Sequence, residues 1–336
     1  MKRFLLFLVF LAAIAGGAWY WERNNFQAPG PSPSYKVVMV APGDRVAAIA
    51  QHLAEAGVIA NAGLFRLGLR LRGLQSALKA GEYGFPAHAG MSDVADILVG
   101  GKSIQHKLTA AEGLTSRMIV GLVRADPVLV GEVGAVPEEG TLLPETYLFT
   151  RGTSRAEILA RMKRAHGDLM ARLWPGRAKG LRFKDKREAV ILASIVEKES
   201  AIAPERRHIA AVFLNRLRLG MKLQSDPTII YGLSKGYPLG HGIRQSELDR
   251  PTPYNTYVAF GLPPGPICNP GRDSIAAVLN PALSDDLYFV ADGTGGHVFS
   301  ATEAEHEKNV AKWRKLEHPG APPAPKRKLS KGRHRH

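Results

Sequence analysis

The 336-residue chain contains one cysteine, Cys268. A single thiol cannot close an internal disulfide, and without a CxxC pair or a Cys/His grouping no metal site is expected. No cysteine follows the apolar N-terminal run either, so a lipid-modified cysteine anchor is not expected. Phosphate-cradling loops are missing as well. The glycine-bearing stretch "ADGTGGHVFS" (291–300) has neither GxGxxG nor GxxxxGK[ST] spacing, and it reads as a β-turn with His297 in a structural role. No cofactor is expected, and no internal repeat of fixed period occurs.

Acids are in short supply. Thirty Asp and Glu face forty-five Lys and Arg, a formal charge of +15. Much of the excess is local: the last eleven residues, "KRKLSKGRHRH", hold six Lys or Arg and no acid, after a Pro-rich "HPGAPPAP". Such a tail is expected to be disordered, serving solubility or attraction to an anionic polymer or membrane. Charge concentrated in the tail of an exported chain argues against a nucleic-acid binder.

What is present begins with "MKRFLLFLVFLAAIAGGAWYWERNN". Lys2 and Arg3 precede an uncharged, mostly apolar run from Phe4 to Trp21. Ala13-Ile14-Ala15 could serve as a signal-peptide cleavage site. The run continues past it into Trp19, Tyr20 and Trp21, which suit a membrane–water interface, so an uncleaved anchor is the favoured expectation. The positive-inside rule then leaves Lys2 and Arg3 in the cytoplasm and sends the remaining chain across the membrane.

After the Pro/Gly/Ser linker "QAPGPSPS" the pattern reads as strand, helix, helix, strand, helix. The strands are expected near 37–40 and 80–85. The helices are expected from Val46 to Gly57 with Asp44 as N-cap, over 62–72 and over 91–101. Such a module either binds an extended polymer or serves as a packing spacer. From about Ile104 the chain changes. Long helical patterns run from Ala156 to Leu219, a loop-rich stretch covers 221–300, and a last helix runs from about Thr302 to Leu316.

The chemistry is sought in "ILASIVEKES" (191–200). On a helix, Ile191, Leu192, Ile195 and Val196 form one apolar arc, and Glu199 falls near its middle. Glu197 points to nearly the opposite side, near Val190 and Ser194, and reads as a surface or supporting residue. A carboxyl in apolar surroundings keeps its proton to higher pH, which suits donation to a glycosidic oxygen. The competing reading puts Glu199 at a frayed helix end, in solvent or paired with Arg206 or Arg207.

Two later stretches suit a saccharide. "LQSDPTIIYG" (223–232) groups Gln224, Ser225, Asp226 and Thr228 around a proline. "RPTPYNTYVAFGLPPGPICNPG" (250–271) sets Tyr254, Asn255, Thr256 and Tyr257 beside a proline turn. Amides and hydroxyls fix sugar hydroxyls and acetamides, and aromatic faces stack on pyranose rings. Each stretch taken singly is also explained as a structured turn.

Together "ASIVEKES", "RRHIAAVFLNRLRLGMKLQSDPTIIYG", "TPYNTY", "GLPPGPICNPG" and "LYFVADGTGGHVFS" closely resemble the MltG/YceG-like endolytic murein transglycosylases, over roughly residues 36 to 316. The resemblance implies an α+β chain with a transmembrane anchor, a small LysM-like module and a mixed helical, loop-rich catalytic domain with short strands. The segments fall at 1–3 (cytoplasmic), 4–21 (anchor), 22–35 (linker), 36–103 (module), 104–318 (catalytic domain) and 319–336 (tail). It implies an inner-membrane, single-pass protein with a periplasmic catalytic domain. Its substrate is nascent peptidoglycan glycan strands, cut between N-acetylmuramic acid and N-acetylglucosamine, and peptidoglycan synthases are candidate partners. The catalytic acid matches Glu199, which the helical arc also selects. The Glu-Ser pair resembles that of soluble lytic transglycosylases and adds Ser200 to the substrate-contact candidates. Asp226 is assigned to orientation or substrate contact. The basic tail and Cys268 depart from the pattern, away from the acid. A hydrolase using Asp226 to activate water, and a non-enzymatic peptidoglycan-binding scaffold, are the rival readings.

Overall fold

The computed structural model describes residues 2–317. The expected basic tail, 319–336, lies outside the described residues, as do the side chains at 2, 3, 5, 18, 21–23 and 317. The chain divides into two units. One comprises 1–108 with the short segments 127–130 and 147–153; the other takes 109–126, 131–146 and the chain from 154 onward.

In the first unit, α1 (Lys2–Phe26) exposes Phe4, Leu6, Phe7, Val9 and Phe10. Among the described residues no helix is long and apolar enough to cross a membrane. Positions 5, 18 and 21 of the expected anchor are among the side chains not described. β1 (Lys36–Val40) pairs antiparallel with β2 (Gly81–Phe85), Val38 opposite Tyr83. Alternation sends Val38, Val40, Tyr83 and Phe85 to one buried face. α2 (Val46–Glu55), α3 (Ala62–Leu71) and α4 (Met91–Gly100) contribute Leu53, Phe65, Leu69 and Leu98 to the same core. Phe26 stacks on Phe65, and Gly68 lies so close that a Cβ there would stand 2.1 Å from the Phe26 ring. One local expectation changes. The α2 N-cap is Arg45, while Asp44 closes the preceding turn by accepting from the Ala41 N–H at 2.9 Å.

The chain continues through β3 (His106–Thr109), α5 (Ser116–Ala125) and β4 (Thr146–Phe149); β3 pairs with β4. The second unit is then organised around one helix. The long helical pattern resolves into α6 (Arg155–Leu173), α7 (Lys186–Glu199) and α8 (Arg206–Arg218). Asp185 starts α7 by accepting from the Glu188 N–H, while the Glu188 carboxylate accepts from the Lys184 N–H. All eight residues from Ala189 to Val196 are buried, so α7 is enclosed on every side rather than along one arc. Each large apolar side chain among them contributes about 1.5–3 kcal/mol by leaving water, and Ile195→Asp would break this core.

The loop-rich half supplies α9 (Asp226–Ser234), α10 (Gln245–Leu248), α11 (Arg272–Leu279) and the hairpin β5 (Tyr288–Ala291)–β6 (His297–Ser300), followed by α12 (Glu303–Glu317). The loop before α11 locks onto the back of α7. Ser194 Oγ accepts from the Ile267 N–H at 3.0 Å and donates to the Ile191 carbonyl, and the buried Cys268 thiol donates to the Ser194 carbonyl.

Candidate active site

Glu199 closes the last turn of α7 and lines a cleft of about 350 Å³ with Arg216, Leu223, Gln224, Asp226, Tyr257, Phe289 and His306. The residue keeps some contact with the cleft, while its carboxyl end is enclosed. That burial pushes its pKa up from 4.5 to about 7. The Ser225 hydroxyl, 2.5 Å from Glu199 Oε1, pulls the other way; the charge of Asp226 adds to the rise, and His297 and Arg216 oppose it. Neither Arg206 nor Arg207 pairs with Glu199, so the frayed-end reading does not describe the site. Arg206 reaches Glu197 and Glu112, and Arg207 donates to the Asn280 carbonyl.

The segment entering α9 builds one wall. Gln224 takes a left-handed conformation, φ 55°, a region a non-glycine residue adopts uncommonly. This turn leaves Gln224 lining the cleft and Ser225 against the acid. The loop at 254–257 fixes the segment from behind. The Gln224 N–H donates to the Thr256 carbonyl, the Ser225 N–H donates to Thr256 Oγ1, and Thr256 shares a hydrogen bond with the buried Thr228 hydroxyl. The two polar stretches are thus brought together beside Glu199.

Their side chains differ in task. Tyr257 reaches the cleft and donates to Asp226 Oδ1 at 2.6 Å. Ser225, Thr228 and Thr256 are buried and hold the wall. Asn255 is also buried: its amide donates to the carbonyls of Glu247, Leu248 and Arg250, and its Oδ1 accepts from the Tyr257 N–H, so it shapes the loop that presents Tyr257. Tyr254 packs on Tyr231 with ring centroids 4.8 Å apart and does not line the cleft. Ser200 is buried past the helix end, accepting from the Ile202 N–H and donating toward Glu205.

Glu197 takes the supporting one of its two expected roles. Its side chain is 4% exposed, it accepts from the Gly271 N–H at the start of α11, and it pairs with the buried Arg206 guanidinium at 3.3 Å. His297 is structural in the expected sense, with an added electrostatic part. Its Nδ1 sits 2.7 Å from Glu205, and its charge acts on Glu199.

Sequence reasoning passed over Arg216, Phe289 and His306. Arg216 carried a readable signal, a cation seven residues after Ile209 and three after Phe213 on the core face of α8. The side chain is buried and donates to the carbonyls of Leu287 and Leu223, with Gln224 Oε1 at 3.4 Å. Phe289 and His306 come from the hairpin and α12, far along the chain, and no local pattern announces them. Among the described residues no group of three or more His, Cys, Asp or Glu is assembled to hold a metal ion.

A protonated carboxyl in a small polar cleft, with amide, phenol and guanidinium groups around it, can donate a proton to a bound oxygen and take one back. The model of the YceG-like family matches residues 38–312. The chain is 29% identical over 365 residues to an endolytic murein transglycosylase of Streptococcus pneumoniae serotype 2, covering 93% of this chain and 65% of that protein. It is 35% identical over 180 residues to an endolytic murein transglycosylase of Bacillus subtilis, covering 53% of this chain and 48% of the other. It therefore spans about two thirds or less of the length of the curated relatives it matches. A crystal structure of a yceG-like protein from Listeria monocytogenes is similar with a TM-score of 0.53 at 30% identity, covering 82% of this chain and 99% of that one.

Proposed function

The chain belongs to the YceG-like family, and on that premise we propose that it is an endolytic peptidoglycan transglycosylase with Glu199 as its single acid and base. The observation that carries the reading is the Glu199 carboxyl, its pKa raised to about 7 by burial and facing the cleft. Protonated Glu199 donates to the glycosidic oxygen as the bond from muramic acid C1 breaks. The resulting carboxylate takes the proton of the muramic acid C6 hydroxyl, whose oxygen attacks C1 and closes a 1,6-anhydro ring. The proton returns to Glu199, and no water is consumed. Ser225 holds the carboxyl, and Gln224, Tyr257 and the Asp226 it binds orient the sugar so that the attacking oxygen and C1 come to about 3–3.5 Å. The engagement of Asp226 by Tyr257 favours orientation over the activation of water that a muramidase would need.

In the same reading α1 is a membrane anchor. Its uncharged run from Phe4 to Trp21 rises about 27 Å at 1.5 Å per residue, close to the roughly 30 Å hydrocarbon core, and the described apolar side chains of α1 before Phe26 are exposed. The unit behind it is LysM-like and holds or aligns the strand. The catalytic unit works in the periplasm on strands that synthases are extending. Mass analysis of products from purified strands tests the chemistry: anhydro ends lack one water relative to reducing ends. Reducing ends alone would replace the transglycosylase by a hydrolase, and no products would leave a binding scaffold.

A further inference from the structure

A second cavity in the catalytic unit, about 770 Å³, is twice the volume of the Glu199 cleft and takes no part in the proposed chemistry. Its floor is apolar, from Phe183, Ile191, Leu214 and Leu262. Its walls are cationic. Two cations are already answered: Lys184 pairs with Glu188 at 3.7 Å and Arg187 with Glu138 at 3.2 Å. Lys179, Arg182 and Arg218 are exposed on the groove, and none is joined to a carboxylate among the described residues. The other acid of the wall, Asp185, is occupied in capping α7.

The groove meets the cleft at one corner. On α8, Asn215 and Leu217 face the groove while Arg216 between them faces the cleft. Phe260, 69% exposed on the groove rim, carries Lys222 over its ring at 5.1 Å, and the next residues, Leu223 and Gln224, line the cleft. A strand leaving Glu199 past Gln224 therefore meets an exposed aromatic face and then three unpaired cations over an apolar floor. Aromatic faces stack on sugars, and guanidinium and ammonium groups attract carboxylates.

We propose that this groove is an extended binding site for the carboxylate-bearing peptide stems of the strand, with Phe260 receiving a sugar face at the junction and Lys179, Arg182 and Arg218 holding the stem carboxylates. The proposal rests on the peptidoglycan reading above. The groove selects peptide-bearing strand over stripped strand, while Glu199 performs the cut on either.

The test uses the full chain in mild detergent carrying Glu199→Gln, so that strands bind without being cut. Binding of fluorescent strands with and without peptide stems is compared with the Arg182→Glu/Arg218→Glu double variant, and thermal unfolding checks each fold. Peptide-bearing strands are expected to bind about tenfold tighter at low salt, and charge reversal is expected to remove that preference. Arg182→Lys/Arg218→Lys should retain most of it. An unchanged preference in the reversed variant, or equal competition by polyglutamate, overturns the groove assignment. Anhydro products from the Glu199 protein alongside an unmoved preference would sink this inference and leave the enzyme reading standing. A charge-dependent preference without any products would do the reverse.

Discussion

Glu197 and Glu199 stand two residues apart on α7 and meet opposite surroundings. On the Glu197 side the carboxylate is sealed in with a guanidinium and a backbone N–H, and it ties α7 to α8 and to the start of α11. On the Glu199 side no cation reaches ion-pair distance among the described residues; a hydroxyl touches the carboxyl and the side chain lines a small cleft. Its partners commit the first acid to structure. Burial keeps the second protonated near neutrality and available. Burial alone does not distinguish a catalytic acid, since both are enclosed; what distinguishes it is burial without a compensating charge.

The comparison is broken most directly at Glu199. Glu199→Gln should lower strand cleavage by about a thousandfold, within the range for loss of a general acid, with its unfolding transition intact. Product counting by mass spectrometry checks this, and equal loss in a fully stable Glu197→Gln would overturn the division of labour. The second expectation concerns pH. The proposed reaction needs protonated Glu199, so the rate should fall through an apparent pKa near 7 and about tenfold per unit above it. The folded pKa lies above the ordinary 4.5, so the folded state holds this proton longer than the unfolded chain. The corresponding stability is complete below 4.5 and is lost as pH rises through about 7, up to about 3 kcal/mol. The pH dependence of stability between pH 5 and pH 8, read by denaturant titration, should differ between the wild type and Glu199→Gln by most of that amount.

Glu197→Gln sharpens the other side. It leaves Arg206 with Glu112 as its remaining carboxylate and should destabilise the unit by about 2–3 kcal/mol, read from the denaturation midpoint, with activity lost in step with folding. The smallest effect belongs to Ser225→Ala. Its hydroxyl favours the ionised form of Glu199, so removing it should move the alkaline limb upward by less than about one unit. A downward shift would show that the hydroxyl serves the protonated acid instead.

Much of this was legible from period and turn chemistry. The expected boundaries of the strands and helices between 36 and 101 fall within about two residues of β1, β2, α2, α3 and α4 at most ends, because each element there is local and amphipathic. The arc placed Glu199 and Glu197 on different sides of one helix, yet it left the second side open between surface and support. Periodicity reports which residues share a face, and α7 happens to be covered on all of them. Asn255 shows another limit. A buried amide collecting three carbonyls is decided by how its loop closes, not by the composition of "TPYNTY". Arg216 was within reach, because a cation at a core position raises the same question as Glu199.

The lone thiol behind α7 has a consequence of its own. Cys268 is fully buried, burial raises its pKa well above the ordinary value, and its hydrogen bears on the Ser194 carbonyl of the helix that ends in the acid. Kept as a hidden thiol, it is shielded from oxidants and from cross-linking to a second chain. It also makes the molecule its own sensor: alkylating probes can mark Cys268 only when the loop at 263–271 lifts from α7, so labelling kinetics time the opening of the scaffold that holds Glu199 in place.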